Sequence, residues 1–141
     1  MAKKQILLID NDADFIEMME TVLTDAGFCV NAFTEVDDIF KLIEDYKPDI
    51  ILLDYLLRGV NGGDLCSQIK RSPKTNDIPV ILISAYFRVL LSLGTYDCDE
   101  FIEKPFEITH LIDRVNFFLK KNKPRYRRRN YIKVEFNKNS G

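Results

Sequence analysis

Ile50-Ile51-Leu52-Leu53-Asp54 is the stretch from which the fold is read. Four large aliphatics run into a carboxylate, with Lys47-Pro48-Asp49 before them and Arg58-Gly59 shortly after. A short continuous apolar run between such turn signals predicts a strand buried on both faces, as in a parallel sheet. Asp54 then stands at the strand's carboxyl end, the edge where open α/β sheets place their ligands. A carboxylate there also has a plain structural reading, as a turn former or helix cap. The two readings separate on whether other strands bring reactive groups to the same edge.

Working outward, Gln5-Ile6-Leu7-Leu8-Ile9 is a second buried-strand run, and it ends in Asp10-Asn11-Asp12. Phe15, Met18, Met19, Val22 and Leu23 recur at helical spacing, and Gly27 supplies a stop. Residues 28–33 are strand-like. Thr34 is expected to start the next helix, with Asp37 as a variant capping box, a stripe of Val36, Ile39, Phe40 and Ile43, and an end at Tyr46-Lys47. After Asp54, residues 56–63 read as a loop rich in glycine, followed by a short helix through Leu65, Ile69 and Lys70. Val80-Ile81-Leu82-Ile83 is another buried strand, ending in Ser84. A short helix is expected from Tyr86 to Leu93, stopped by Gly94-Thr95. Residues 100–103 form a brief strand leading into Lys104-Pro105, and Ile108, Leu111, Ile112, Val115, Phe118 and Leu119 mark a final amphipathic helix. Five strands alternating with five helices predict a parallel sheet covered on both faces, with right-handed crossovers.

At 141 residues the chain suits one domain with a substantial core. No apolar run approaches the roughly 18 residues of a membrane span, and no signal-peptide pattern opens the chain, so a cytoplasmic protein is expected. Cys29, Cys66 and Cys98 are odd in number and widely spaced, and three reduced thiols are expected. The net charge of −2 hides an asymmetry. Residues 122–141 hold seven Lys/Arg and one Glu, a charge of +6, while the remainder carries −8. The body is therefore expected to span residues 1–121, with a basic tail over 122–141.

In a parallel sheet the strand ends lie along one edge, so Asp10, Asn11, Asp12, Asp54, Ser84 and Lys104 converge although far apart in sequence. Acids with one hydroxyl and one lysine suit a hard divalent cation and a phosphoryl group. Mg²⁺ takes one or two carboxylates together with phosphate oxygens and water. Without a cation, clustered carboxylates raise one another's pKa values and repel phosphate. No GxGxxG, Walker loop or nucleophile–histidine pair supports a small-molecule enzyme.

These pieces together resemble the bacterial response-regulator receiver domain, the CheY-like branch of the flavodoxin-like fold. The resemblance rests on residues 6–12, 48–54, 59–62, 78–85 and 101–106, in order and near the family's spacing. It implies a three-layer α/β/α sandwich with a five-stranded parallel sheet in the order 2-1-3-4-5. It implies that Asp54 is the phosphoacceptor, loaded by a histidine kinase or histidine phosphotransfer protein in a two-component phosphorelay. Asp10, Asn11, Asp54 and the backbone carbonyl of Leu56 would hold Mg²⁺. Ser84 would donate to the phosphoryl group, Lys104 would neutralise one of its oxygens, and Phe101 would be the aromatic partner of Ser84 in switching. The face made by the fourth helix, fifth strand and last helix would be read by a downstream protein. Such a domain is a phosphoacceptor and not an enzyme, and the chain is expected to act as a single-domain regulator.

Three departures qualify the resemblance. Asn11 stands where the family usually has an acid, which predicts weakened Mg²⁺ binding, with Asp12 as a partial substitute. By Coulomb's law a unit pair at about 4 Å is worth roughly 4 kcal/mol gross at an effective dielectric near 20. Arg58 replaces a common proline and is expected to bring a cation beside the acidic pocket. The 86–98 stretch is short for the family. Two alternatives follow: a pseudo-receiver that binds partners with an impaired metal site, and nucleic-acid binding through the basic, aromatic tail. The oligomeric state is not read from the sequence.

Overall fold

The computed structural model describes residues 2–86, 88 and 97–121. The helix expected from Tyr86 to Leu93 falls almost wholly outside them, and the basic tail wholly outside. Five strands form one parallel sheet: β1 (Gln5–Ile9), β2 (Cys29–Phe33), β3 (Ile50–Asp54), β4 (Val80–Ser84) and β5 (Glu100–Glu103), in the order β2-β1-β3-β4-β5. Among the described residues the helices with both ends placed are α1 (Ala13–Asp25), α2 (Ile39–Tyr46), α3 (Gly62–Arg71) and α4 (Ile108–Lys121).

The central strands are buried on both faces because alternate residues serve different layers. Ile6 and Leu8 of β1, Ile50 and Leu52 of β3, and Ile81 and Ile83 of β4 pack against Ile16, Met19 and Leu23 of α1 and Leu111, Val115 and Phe118 of α4. Leu7, Ile9, Ile51, Leu53 and Leu82 point the other way, onto Ile39 and Ile43 of α2 and Leu65, Cys66 and Ile69 of α3. The result is the three-layer sandwich that the resemblance implied, a parallel sheet covered on both faces as the alternation of strands and helices predicts. Truncating a side chain such as Leu52, fully enclosed at the centre of β3, carries a cost of about 2–5 kcal/mol.

Local differences from the sequence reading have local causes. In α1 the sheet-facing set is Ile16, Met19 and Leu23, so Met18 is 49% exposed and Phe15 and Val22 lie along the rim. α2 begins at Ile39 and not at Thr34, because Asp38 is its N-cap and accepts from the N–H groups of Phe40 and Lys41. The expected capping box at Thr34 and Asp37 is not formed; those residues lie in the connection before α2. Residues 56–61 are not simply a loop: Leu56–Leu57 pairs antiparallel with Val60–Asn61 around Gly59, whose φ of 73° suits a residue without a Cβ. Asn61 then caps α3.

The expectation of three reduced thiols is corrected. Cys66 of α3 and Cys98, two residues before β5, are joined as a disulfide with Cα atoms 6.0 Å apart, and Cys29 is free. Linear spacing did not disclose this pairing, which depends on α3 packing beside the lead-in to β5.

Candidate phosphoacceptor site

The site is assembled by continuing the sheet's ladder past the ends of the strands. The N–H of Asp10 donates to the Phe33 carbonyl at 3.1 Å, that of Tyr55 to Ile83 at 3.1 Å, and that of Lys104 to Ser84 at 2.9 Å. These bonds extend the β1–β2, β3–β4 and β4–β5 pairings, and with the direct β1–β3 pairing they bring Asp10, Asp54, Ser84 and Lys104 to one edge. Asp10 and Ser84 are 1% exposed and Asp54 7%.

Lys104 closes the cluster. Its ammonium lies 2.7 Å from Oδ2 of Asp10 and 3.6 Å from Oδ1 of Asp54. Asp10 uses its other oxygen, Oδ1, to accept the N–H of Asp12 at 2.9 Å. The Asp54 carboxyl is pushed up from its ordinary value of 3.8 to about 6. Burial is the main cause, the charge of Asp10 adds to it, and Lys104 offsets part of the rise. At neutral pH Asp54 is therefore mainly ionised, but as a carboxylate held in a site that disfavours its charge.

Ser84 accepts the N–H of Tyr86 on Oγ at 2.8 Å, which fixes the oxygen and leaves the O–H as a donor. Asn11 is exposed in the turn between β1 and α1. Leu56 opens the short ribbon opposite Asn61, its side chain 47% exposed. Phe101 is half-buried and packs against the core layer containing α2 and α3.

Two charges near the pocket have other partners. Asp12 caps α1 through Oδ1, accepting from Asp14 N–H at 3.0 Å and Phe15 N–H at 3.2 Å. A carboxylate so engaged also stabilises the positive end of the helix dipole. Arg58 is directed to Glu35 at 4.0 Å, in a contact exposed on both sides, which contributes little to stability.

The donor set suits a hard cation. Among the described residues no group of three or more His, Cys, Asp or Glu side chains is placed to hold a metal ion; Asp10 and Asp54 are the two carboxylates that meet at Lys104. Two carboxylates match what Mg²⁺ takes from proteins.

Two supporting residues escaped the sequence reading. A Cβ on Gly62 would lie 1.9 Å from the carbonyl oxygen of Asp54, so only glycine lets α3 start this close to the end of β3. The Gly62 N–H donates to the Tyr55 carbonyl at 2.8 Å, holding that approach. Glycine after the short ribbon was the available signal, and it was absorbed into a loop. The second is Phe15, whose ring lies 4.2 Å from the Lys104 ammonium and edge-on to Phe106 at 6.1 Å. Phe15, Met18, Lys104, Pro105 and Phe106 are among the residues lining a largely apolar groove of about 480 Å³ beside the site.

Comparison with known proteins agrees with this geometry. Residues 6–116 match the model of the response regulator receiver domain. The phosphate regulon transcriptional regulatory protein PhoB of Pseudomonas aeruginosa is 34% identical over 127 residues, covering 88% of this chain and 55% of PhoB. The chain spans about half the length of the curated relatives it matches. A putative response regulator from Chloroflexus aurantiacus superposes with a TM-score of 0.77 at 26% identity, covering 84% of this chain and 99% of that one. The response regulator TrrA of Thermotoga maritima, solved in complex with Mg²⁺–BeF, shares the fold with a TM-score of 0.73 at 23% identity, over 82% of this chain and 98% of TrrA.

Proposed function

The chain belongs to the response regulator receiver domain family, the phosphoacceptor modules of two-component signalling, and from that premise we propose that Asp54 is its phosphoacceptor. The observation that carries this reading is the buried Asp10–Lys104–Asp54 cluster at the ends of β1, β5 and β3. The donor is a histidine kinase or histidine phosphotransfer protein. A carboxylate oxygen of Asp54 forms the bond to phosphorus as the bond to the donor's imidazole nitrogen breaks. Lys104 neutralises a phosphoryl oxygen and the Ser84 hydroxyl donates to another. Asp10, Asn11, Asp54 and the Leu56 carbonyl would hold Mg²⁺, which supplies further charge neutralisation when bound. The work of the protein is mainly positioning and electrostatics, as phosphoryl transfer requires.

Residues 1–121 form the receiver body in this reading, acting in the cytoplasm, and 122–141 a basic extension. Phosphorylation changes partner binding through Ser84, Phe101 and the face carrying β5 and α4. Support there comes from α4: Phe117 is 46% exposed, and Arg114, ion-paired to Glu100 of β5, lies 4.4 Å from its ring. Incubation with acetyl phosphate and Mg²⁺ is expected to add one phosphoryl group, detected by intact mass, in wild type and not in Asp54→Ala. No modification under any metal condition sinks the proposal.

Asn11 favours one competing reading, a pseudo-receiver that binds partners without Mg²⁺-dependent phosphorylation. The same assay separates the two, because that reading requires no phosphoryl uptake at any Mg²⁺ concentration. The +6 tail favours a nucleic-acid contact. Deleting residues 122–141 without changing salt-sensitive DNA or RNA retention removes that reading.

A further inference from the structure

We infer that Cys66 and Cys98 form a reversible thiol–disulfide site, oxidised and reduced by small-molecule disulfides and thiols, which fastens the lead-in of β5 to α3. The inference is independent of phosphorylation. It begins with placement: the Cα atoms are 6.0 Å apart across 32 residues of sequence, within the roughly 4.4–6.8 Å span that a disulfide bridges.

Reversibility follows from what holds the same joint without the bond. The Lys70 ammonium, on α3, bonds Asp99 Oδ2 at 2.9 Å and the Ile78 carbonyl at 3.0 Å. The same Asp99 oxygen accepts the N–H of Val80 at 2.7 Å. Asp99 adjoins Cys98, so α3, β4 and the lead-in to β5 are already tied together by polar contacts. Cys66 is fully buried beside Leu65 and Ile69, where a thiol packs as a small apolar side chain. Either redox state is thus compatible with the same fold.

The two cysteines differ in access, which sets the order of the chemistry. Cys98 is half-buried and Cys66 is enclosed. The Cys98 thiol loses its proton and its sulfur attacks one sulfur of a low-molecular-weight disulfide, releasing one small thiolate and leaving a mixed disulfide on Cys98. Cys66 then loses its proton, and its sulfur attacks that of Cys98, releasing the second small thiolate. Two protein thiols are oxidised by two electrons, and the small disulfide is reduced to two thiols. Reduction runs the same steps backwards. Cys29 lies on β2, at the opposite edge of the sheet from β5, and takes no part.

The test equilibrates the full chain with graded ratios of oxidised to reduced glutathione, then traps free thiols with a maleimide under denaturing conditions. Intact mass should show three labels at the reducing end and one at the oxidising end, with a proteolytic fragment joining Cys66 to Cys98. Return to reducing buffer, without denaturant, should restore three labels. Closing a loop of this length should raise Tm by roughly 10 °C. Cys98→Ser should show two labels at every ratio and no Tm response. Three labels in wild type throughout, a bond to Cys29, or a bond that only denaturant makes reducible would each overturn the inference. The wild-type label count needs no variant to fold, and none of these readings depends on Asp54.

Discussion

Replacing Asp54 by asparagine should stabilise the metal-free protein, and the size of the gain should depend on pH. The Asp54 carboxyl is raised from 3.8 to about 6, chiefly by burial and next by the Asp10 charge. Between those values the native state binds this proton more tightly than the unfolded chain does. Stability therefore falls as pH rises through the window, and the penalty is complete above about pH 6. A rise of this size corresponds to about 3 kcal/mol. Asparagine keeps the shape and never ionises, so Asp54→Asn removes the penalty. It also removes the Lys104 contact at 3.6 Å, the longer of that lysine's two; the shorter one, to Asp10, survives. The net gain at neutral pH should be roughly 1–3 kcal/mol. Urea denaturation of both proteins in EDTA, from about pH 4 to pH 8, measures it. The two should converge near pH 4 and separate above pH 6. A difference that is flat across that range, or a variant less stable than wild type at neutral pH, would refute the electrostatic account of the site.

Three further outcomes are expected. Gly62→Ala places a methyl group 1.9 Å from the Asp54 carbonyl oxygen, so it should cost at least about 2 kcal/mol in denaturant unfolding. In whatever fraction remains folded, phosphoryl uptake should fall. Lys104→Met leaves two carboxylates without the cation that lies 2.7 Å from Asp10; it should cost about 3–5 kcal/mol and abolish uptake from acetyl phosphate. Asn11→Asp should strengthen Mg²⁺ binding, measured by calorimetry, by roughly tenfold, the equivalent of about 1.4 kcal/mol left from the gross Coulomb attraction after desolvation and solvent screening. Unchanged affinity in that variant would mean that the missing charge is not what limits the site.

The features legible in sequence were those carried by periodicity and position. The aliphatic runs at Ile6–Ile9, Ile50–Leu53 and Val80–Ile83 could be buried on both faces only in a covered parallel sheet, and that arrangement brought Asp10, Asp54, Ser84 and Lys104 to one edge. What escaped depended on which of two competing local bonds a residue makes. Asp12 caps α1 because two N–H groups at the start of that helix lie within its reach, a role the strand-end pattern did not display. Thr34 and Asp38 both suit an N-cap, and Asp38 takes that role. Gly62 and the Cys66–Cys98 pair depend on close approaches between separate elements, which no one-dimensional spacing displays.

Lys104 also links the chemistry of Asp54 to the strand that carries Phe101. Its ammonium has two acidic neighbours at unequal distances, 2.7 Å to Asp10 and 3.6 Å to Asp54, so in the unphosphorylated protein it favours Asp10. A phosphoryl group on Asp54 adds negative charge on the other side of that balance, and the attraction of the ammonium shifts towards it. The Lys104 backbone is bonded to Ser84, and Phe101 lies three residues upstream on β5. If Asp54 is the phosphoacceptor as proposed, a change in the pull on Lys104 should reach the end of β5, between Ser84 and Phe101. The ring of Phe15, 4.2 Å from the ammonium on α1, gives the lysine a third support that carries no charge. An acid at position 11, one residue after Asp10, would add a negative charge at the end of β1. Asn11→Asp should therefore strengthen Mg²⁺ binding and, in metal-free protein, push the Asp54 carboxyl higher still, by the same repulsion that Asp10 already exerts.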